Sequence, residues 1–291
     1  SWSSSGLAGF TVYGLVIDPD TTSTLYAATD GGVYKSTDGG DNWTAVNTGF
    51  TNTDVRCLVI DPLDPDILYA GTNGGGVFKT TDGGTSWDAV NGDLILGQLT
   101  GINLFILSLA IHPDTPQILL VGTAGGGVLR TLNGGAQWNN TLGPASVNTI
   151  AIDPVTTSTV YAGTTAGGVY KSIDSGGSWL TANTNLPTLS VSVIAINPVT
   201  RTTIYAGITG NGVFKSTNTG EPSWFSVDMG TLTVNALAIN PDNTATLYAG
   251  TVGSGVYRST TAGQGWGTFS TGLTALNVRA LAIDPDNPNT L

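Results

Sequence analysis

One short pattern recurs seven times along the chain. An apolar segment ending in Ile, a turn residue and then Pro occurs at Ile17-Asp18-Pro19, Ile60-Asp61-Pro62, Ile111-His112-Pro113, Ile152-Asp153-Pro154, Ile196-Asn197-Pro198, Ile239-Asn240-Pro241 and Ile283-Asp284-Pro285, at spacings of 41 to 51 residues. After each of the first six copies comes a strand-like segment such as Leu68-Tyr69-Ala70-Gly71-Thr72, a Gly-rich turn, and a second such as Gly76-Val77-Phe78-Lys79-Thr80. A further turn and a Trp close the unit, and the Trp residues, at positions 2, 43, 87, 138, 179, 224 and 266, also number seven. Such a repeat constrains the fold more than any other feature, because a single unit cannot bury its apolar face except against its neighbours.

Each unit reads as four short strands, A to D, within about 43 residues, the period of a propeller blade. In strand A, bulky residues one and three positions before the turn residue (Ile60 and Leu58, Ile283 and Leu281) alternate with small ones (Val59 and Cys57, Ala282 and Ala280). A period of two with unequal faces suits sheets stacked face to face around an axis, with strand A innermost. The expected fold is all-β, a single seven-bladed β-propeller over 1–291 with four-stranded antiparallel blades. Its blades fall at about 12–47, 55–91, 106–140, 147–181, 191–227, 234–270, and 278–291 with 1–8. The seventh is expected to be incomplete and shared between the two termini, since roughly 17 residues for its strands B and C are missing by comparison with the period. Its unpaired edge is an expected site of self-association.

Composition agrees with many strands and tight turns: Gly numbers 41 and charged residues only 10%. The net charge of -11 argues against nucleic acid or an anionic membrane surface as partner, since neither would be attracted. No apolar run approaches the about 18 residues of a membrane span, so membrane insertion is not expected. Acidic, Lys-poor and Thr/Asn-rich composition reads as extracellular or cell-surface, and the start at Ser1-Trp2 reads as a processed or excised chain. The one cysteine, Cys57, excludes an intramolecular disulfide and shares a small-residue slot with Gly14, Ser108 and Ala236, so it reads as a buried, inert thiol.

At the C to D turn, Ser36-Thr37-Asp38-Gly39-Gly40-Asp41-Asn42-Trp43 is matched by Thr80-Thr81-Asp82-Gly83-Gly84-Thr85-Ser86-Trp87 and by Ser172, Asp174, Gly176 and Trp179. Asn133 with Trp138, Asn218 with Trp224, and Thr261 with Trp266 are variants. These segments resemble the Asp boxes of the sialidase-type BNR repeat superfamily. Physically the acid or amide bonds its own turn, Gly allows the positive φ, and Trp fills a hole between strands. A bound calcium is the alternative; no metal or cofactor is expected. Six of the nine basic residues, Lys35, Lys79, Arg130, Lys171, Lys215 and Arg258, share one strand C position, which suggests modest surface pairs or side chains lying along a strand. The arginines left over, Arg56, Arg201 and Arg279, do not provide the convergent triad that the sialidase resemblance implies for catalysis.

Arg56 and Arg279 share a position five before the turn residue of strand A, where the other repeats carry Tyr13, Leu107, Asn148, Ser192 and Asn235. A variable position amid constant ones, near the start of the inner strands, marks a candidate binding ring at the channel mouth: Tyr13, Arg56, Asn148, Ser192, Asn235 and Arg279. A lengthened D to A connection carrying Leu94, Ile95, Leu96, Leu99, Ile102, Leu104 and Phe105 either caps the channel or contacts a partner. His112, at a turn position held elsewhere by Asp or Asn, reads as a turn substitution.

The segment Tyr26-Ala27-Ala28-Thr29-Asp30-Gly31-Gly32-Val33-Tyr34 resembles the motif that carries a catalytic Asp in family 74 glycoside hydrolases, which makes Asp30 a candidate catalytic residue by that likeness. Such chemistry needs two carboxyls, and those enzymes take the second from a second propeller. The repeats also resemble photosystem II assembly factors of the Ycf48 type, whose partner contact depends on an arginine-rich patch. The functional expectation is a non-catalytic extracellular binding or structural module of a larger surface or secreted protein, recognising protein or glycan. The alternative is a polysaccharide-acting family 74-like hydrolase fragment or lectin-like binder.

Overall fold

Short runs rich in Val, Ile, Tyr and Thr between Gly-rich turns favour extended, half-buried backbone. In a computed structural model, which describes residues 2, 6–92, 104–218 and 223–291, these runs form six antiparallel four-stranded sheets, each in the order A-B-C-D. The A strands are Val12–Ile17, Val55–Ile60, Ile106–Ile111, Val147–Ile152, Val191–Ile196 and Val234–Ile239. Each of the first five packs on the A strand of the next blade, which places them around the axis. Strand B, such as Leu68–Thr72, is buried along its whole length, and buried clusters run between consecutive blades.

The propeller has six blades of four strands, which corrects the expected seven. Residues 278–284 keep the strand A sequence but join no ladder, because no described strand B lies beside them and a strand exists only through its partner's N–H and C=O groups. The segment instead docks on blade six through the Val278 N–H to Thr251 O bond (2.9 Å). Trp2 does likewise, donating its indole N–H to Phe269 O at 2.7 Å. Between this segment and blade one lie cavities of about 570 and 460 Å³, both lined by Trp2, Leu15, Trp43 and Leu281 among others.

Three kinds of contact join successive blades. At the inner end, strand B offers a Gly where the following A strand arrives: a Cβ on Gly71 would stand 2.6 Å from the Cys57 sulfur and closer still to Ile106. Burial pushes the Cys57 thiol up to about 12, in keeping with an unreactive thiol. At the outer end, the indole N–H of each Trp reaches the end of strand D in the preceding blade: Trp87 to Val46 O (2.9 Å), Trp138 to Val90 O (2.8 Å), Trp224 to Ala182 O (2.8 Å) and Trp266 to Val227 O (3.1 Å). Trp179 uses the Thr141 hydroxyl (3.2 Å). Trp43, with no four-stranded blade before it, turns to Gly40 O in its own turn (2.9 Å). These tryptophans therefore join blades rather than only filling holes within one.

The strand C lysines form the third contact. Tyr26 and Lys35 both donate to Gly83 O in the next blade, at 3.0 and 3.1 Å, and Tyr205 and Lys215 both donate to Ala262 O at 3.2 and 3.4 Å. The ammonium groups of Lys35 and Lys215 also lie 5.1 and 5.4 Å from the ring centroids of those tyrosines, within cation–π range. At Lys35 and Lys215 the shared position is thus an inter-blade clamp, where the sequence suggested surface pairs or side chains lying along a strand.

The acid turns close on themselves. Thr80 donates its hydroxyl to Asp82 (2.7 Å) and accepts the Gly84 N–H (3.0 Å), while Asp82 accepts the N–H and hydroxyl of Ser86 at 2.9 and 2.7 Å. Asp38 and Asp174 repeat this arrangement, and Asn133 accepts the Gln137 N–H at 2.9 Å. The Ser86 hydroxyl and N–H and the Thr80 hydroxyl hold Asp82 down to about 2. For Asp174, burial pushes upward, but bonds from Ser172, Ser178 and the Ser178 and Gly177 N–H groups outweigh it and hold the carboxyl at about 2. In the A to B turns, Asp61 accepts the Leu63 N–H (2.9 Å), and His112 Nδ1 accepts the Thr115 N–H (3.2 Å) in the same role. Burial lowers the His112 pKa, with Arg130 adding to the effect and Asp114 opposing it.

Two outcomes are expected. Gly71→Ala forces a methyl into the inner blade contact and should cost about 1–3 kcal/mol, read from the urea midpoint, whereas Gly267→Ala, at a site outside the positive-φ region where a Cβ meets nothing, should cost less. Depressed folded pKa values mean stabilisation that is complete above the unfolded pKa and lost as pH falls through the folded one. Stability should therefore decline first below the usual histidine value of 6.5, a step that His112→Asn flattens. It should decline again from the usual aspartate value of 3.8 toward about 2, a step reduced by Asp82→Asn with Asp174→Asn. Urea unfolding across pH checks both.

Candidate functional site

Period-two pairing in strand A breaks at one place in every blade. The register shifts between Val12 and Gly14, Val55 and Cys57, Val147 and Thr149, Val191 and Val193, and Val234 and Ala236. In blade three the shift falls between Ile106 and Ser108. The residue within each shift is Tyr13, Arg56, Leu107, Asn148, Ser192 or Asn235, the variable position of the repeat. A bulge leaves one residue out of the ladder and re-aims it, so this position is released from cross-strand pairing. Its variability was legible in the sequence; the bulge that explains it was not.

Tyr13, Arg56, Leu107, Asn148, Asn235 and Arg279 line one cavity of about 260 Å³. Because these residues come from five blades and the C-terminal segment, the cavity lies on the axis. Ser192 does not line it; its hydroxyl donates to Val234 O in the next blade. Asn148 donates to Val191 O at 2.8 Å and Asn235 to Val278 O at 3.5 Å. The amide and hydroxyl members therefore join neighbouring inner strands, and the cationic members differ from them. Arg56 Cζ and Arg279 Cζ stand 4.2 and 5.3 Å from the centroid of the same Tyr13 ring. Arg56 also pairs with Asp54 at 2.6 Å, and Asn73 donates to the same carboxylate oxygen at 2.7 Å. Asp54 was not among the expected site residues, and a position two before the ring arginine was the only signal for it. Arg56 Nε and Asp54 Oδ1 are buried without a partner among the described residues.

Asp30, the candidate acid, sits in the B to C turn of blade one and accepts the Thr11 N–H at 3.1 Å. Leu94, Ile95, Leu96, Leu99 and Ile102 lie outside the described residues. Leu104 packs on the core of blades two and three and accepts the N–H groups of Gly74 and Gly76, both at 3.1 Å. Phe105 bridges to Asn73 and stays 41% exposed, the one described apolar side chain of that connection offered to solvent. Asp38, Trp43, Asp82, Trp87, Asn133, Trp138, Asp174, Trp179, Trp224 and Trp266 occupy the turns and inter-blade contacts described above; Asn218 opens the fifth turn, whose remainder is 219–222, outside the described residues. Among the described residues no group of three or more His, Cys, Asp or Glu side chains is placed to hold a metal ion.

A profile described as the DUF6242 beta propeller domain matches residues 12–140, the first three blades. No curated protein sequence matches the chain. Among solved structures, the family 74 xyloglucanase of Xanthomonas campestris is similar at 19% identity and a TM-score of 0.76, over 97% of this chain and 50% of that one. YCF48 from Cyanidioschyzon merolae is similar at 17% identity and a TM-score of 0.66, over 89% of this chain and 84% of that one. An extracellular domain assigned to a hybrid two component system of B. thetaiotaomicron is similar at 16% identity and a TM-score of 0.76, over 97% of this chain and 38% of that one. The chain thus spans about half the length of the xyloglucanase and less of the sensor domain. At these identities the likeness is one of fold: a β-propeller whose structural neighbours include glycoside hydrolases and extracellular sensor domains.

Proposed function

We propose that the protein is a non-catalytic binding module, displayed outside the cell or on its surface as part of a larger protein, that recognises a protein or glycan through the axial end of the propeller. The observation that carries this reading is the axial cavity. Five of the six inner strands that otherwise repeat each other present Tyr, Arg, Leu or Asn there, on bulges that free these residues from the sheet. Extracellular sensor domains among the structural neighbours, where a propeller forms one part of a longer chain, favour the location. The net charge of -11 disfavours nucleic acid.

Fold likeness to the xyloglucanases supports a second reading, a family 74-like hydrolase fragment, with Asp30 as its acid. Against it, the Asp30 carboxylate already accepts a backbone N–H within its own blade, the ordinary use of Asp in a turn. Reducing-end release from xyloglucan separates the two. Wild-type protein is expected to release none; release that disappears in Asp30→Ala would establish the enzyme reading instead. Glycan and surface-protein arrays should show a binder that Arg279→Ala weakens, and an array on which wild-type protein binds nothing would overturn the module reading.

A further inference from the structure

We infer that the axial cavity binds a small organic carboxylate, of about the size of one sugar acid, through Arg279 and Arg56. This rests on the binding-module reading and names the ligand chemistry of its site.

The first argument is charge. The chain carries 20 acidic residues against nine basic ones, yet the cavity lining includes two guanidinium groups and no carboxylate. The one acid nearby, Asp54, is not among the lining residues and lies behind Arg56, which it pairs. Asp54 compensates Arg56, which leaves the Arg279 guanidinium at the same ring as the charge without a counter-ion among the described residues. Six other basic side chains of the chain are fixed by the repeat on strand C, whereas Arg279 is exposed and has no hydrogen-bond or ion-pair partner among the described residues.

The second argument is geometry. Tyr13 holds both guanidiniums at its ring, 4.2 and 5.3 Å from the centroid, and stacking of this kind orients the planar fork for bidentate bonding to a carboxylate. Arg56 joins the cavity lining while its pair with Asp54 fixes the position of its guanidinium. The cavity of about 260 Å³ is below the usual range of drug-sized pockets, so the ligand is small or is the terminal residue of something larger. Asn235, which donates to Val278 O with its amide nitrogen, leaves its carbonyl oxygen as an acceptor for a ligand hydroxyl.

Glucuronate, with glucose as its neutral counterpart, tests the inference on the whole chain by NMR titration followed at the Tyr13 ring. Saturable shifts with glucuronate and none with glucose are expected, and Arg279→Ala should weaken binding by about tenfold or more while leaving the melting temperature unchanged, because its side chain is exposed. Arg279→Lys should recover part of the affinity, keeping the charge and losing the fork. Equal shifts with glucose, or glucuronate affinity unaltered in Arg279→Ala, would overturn the inference. So would the absence of any shift with glucuronate; the module reading would then still stand if the arrays show a binder.

Discussion

The contact between successive blades is the constraint on which everything else depends. A four-stranded sheet of this size exposes two apolar faces and cannot bury either alone, so its stability is that of its neighbours. The chain meets this need with three kinds of contact, of which the tyrosine-lysine clamp is made at the junctions of blades one with two and five with six. A glycine in strand B admits the next inner strand, a tryptophan N–H crosses to the end of the preceding strand D, and a tyrosine with a lysine grips the next acid turn. Each hydrogen bond contributes only about 0.5–1.5 kcal/mol net, but an indole N–H buried without its acceptor would cost more. Recurrence of the tryptophan from junction to junction follows from that asymmetry.

The same requirement explains what happens where the series stops. Trp2 and Val278 make contacts with blade six that repeat those of other junctions, the Trp2 indole on Phe269 O and the Val278 side chain against Gly250. Residues 278–284 nevertheless remain outside any ladder, because a side-chain contact across blades and a backbone ladder within a blade are separate interactions. Trp43 shows the complementary effect, closing on its own Gly40 where the others reach a preceding blade.

The repeat relaxes at one place in each blade. The bulge in each inner strand withdraws one residue from the ladder, and three of these residues, Asn148, Ser192 and Asn235, are engaged by the next inner strand. What is left at the axis is asymmetric: Tyr13 between two guanidiniums on one side and Leu107 on another. An acidic protein thus carries a local cationic cavity, and local charge governs recognition at such short range more than net charge does.

Much of this was written in the sequence. The period, the four strands per unit, the inner position of strand A and the turn roles of Asp38, Asp82, Asp174 and His112 all follow from local patterns, because turn chemistry and period-two alternation are short-range properties. The channel-mouth position was visible as variability at Tyr13, Arg56 and Arg279. Blade number was not, since counting motifs counts candidate strands, while a blade exists only when its strands find ladder partners. Nor could the sequence show that Trp and Lys act across blades, that Asp54 neutralises Arg56, or that Asn148, Ser192 and Asn235 turn to their neighbours. Those depend on the distance between residues about 40 positions apart along the chain, which only the stacking of the blades sets.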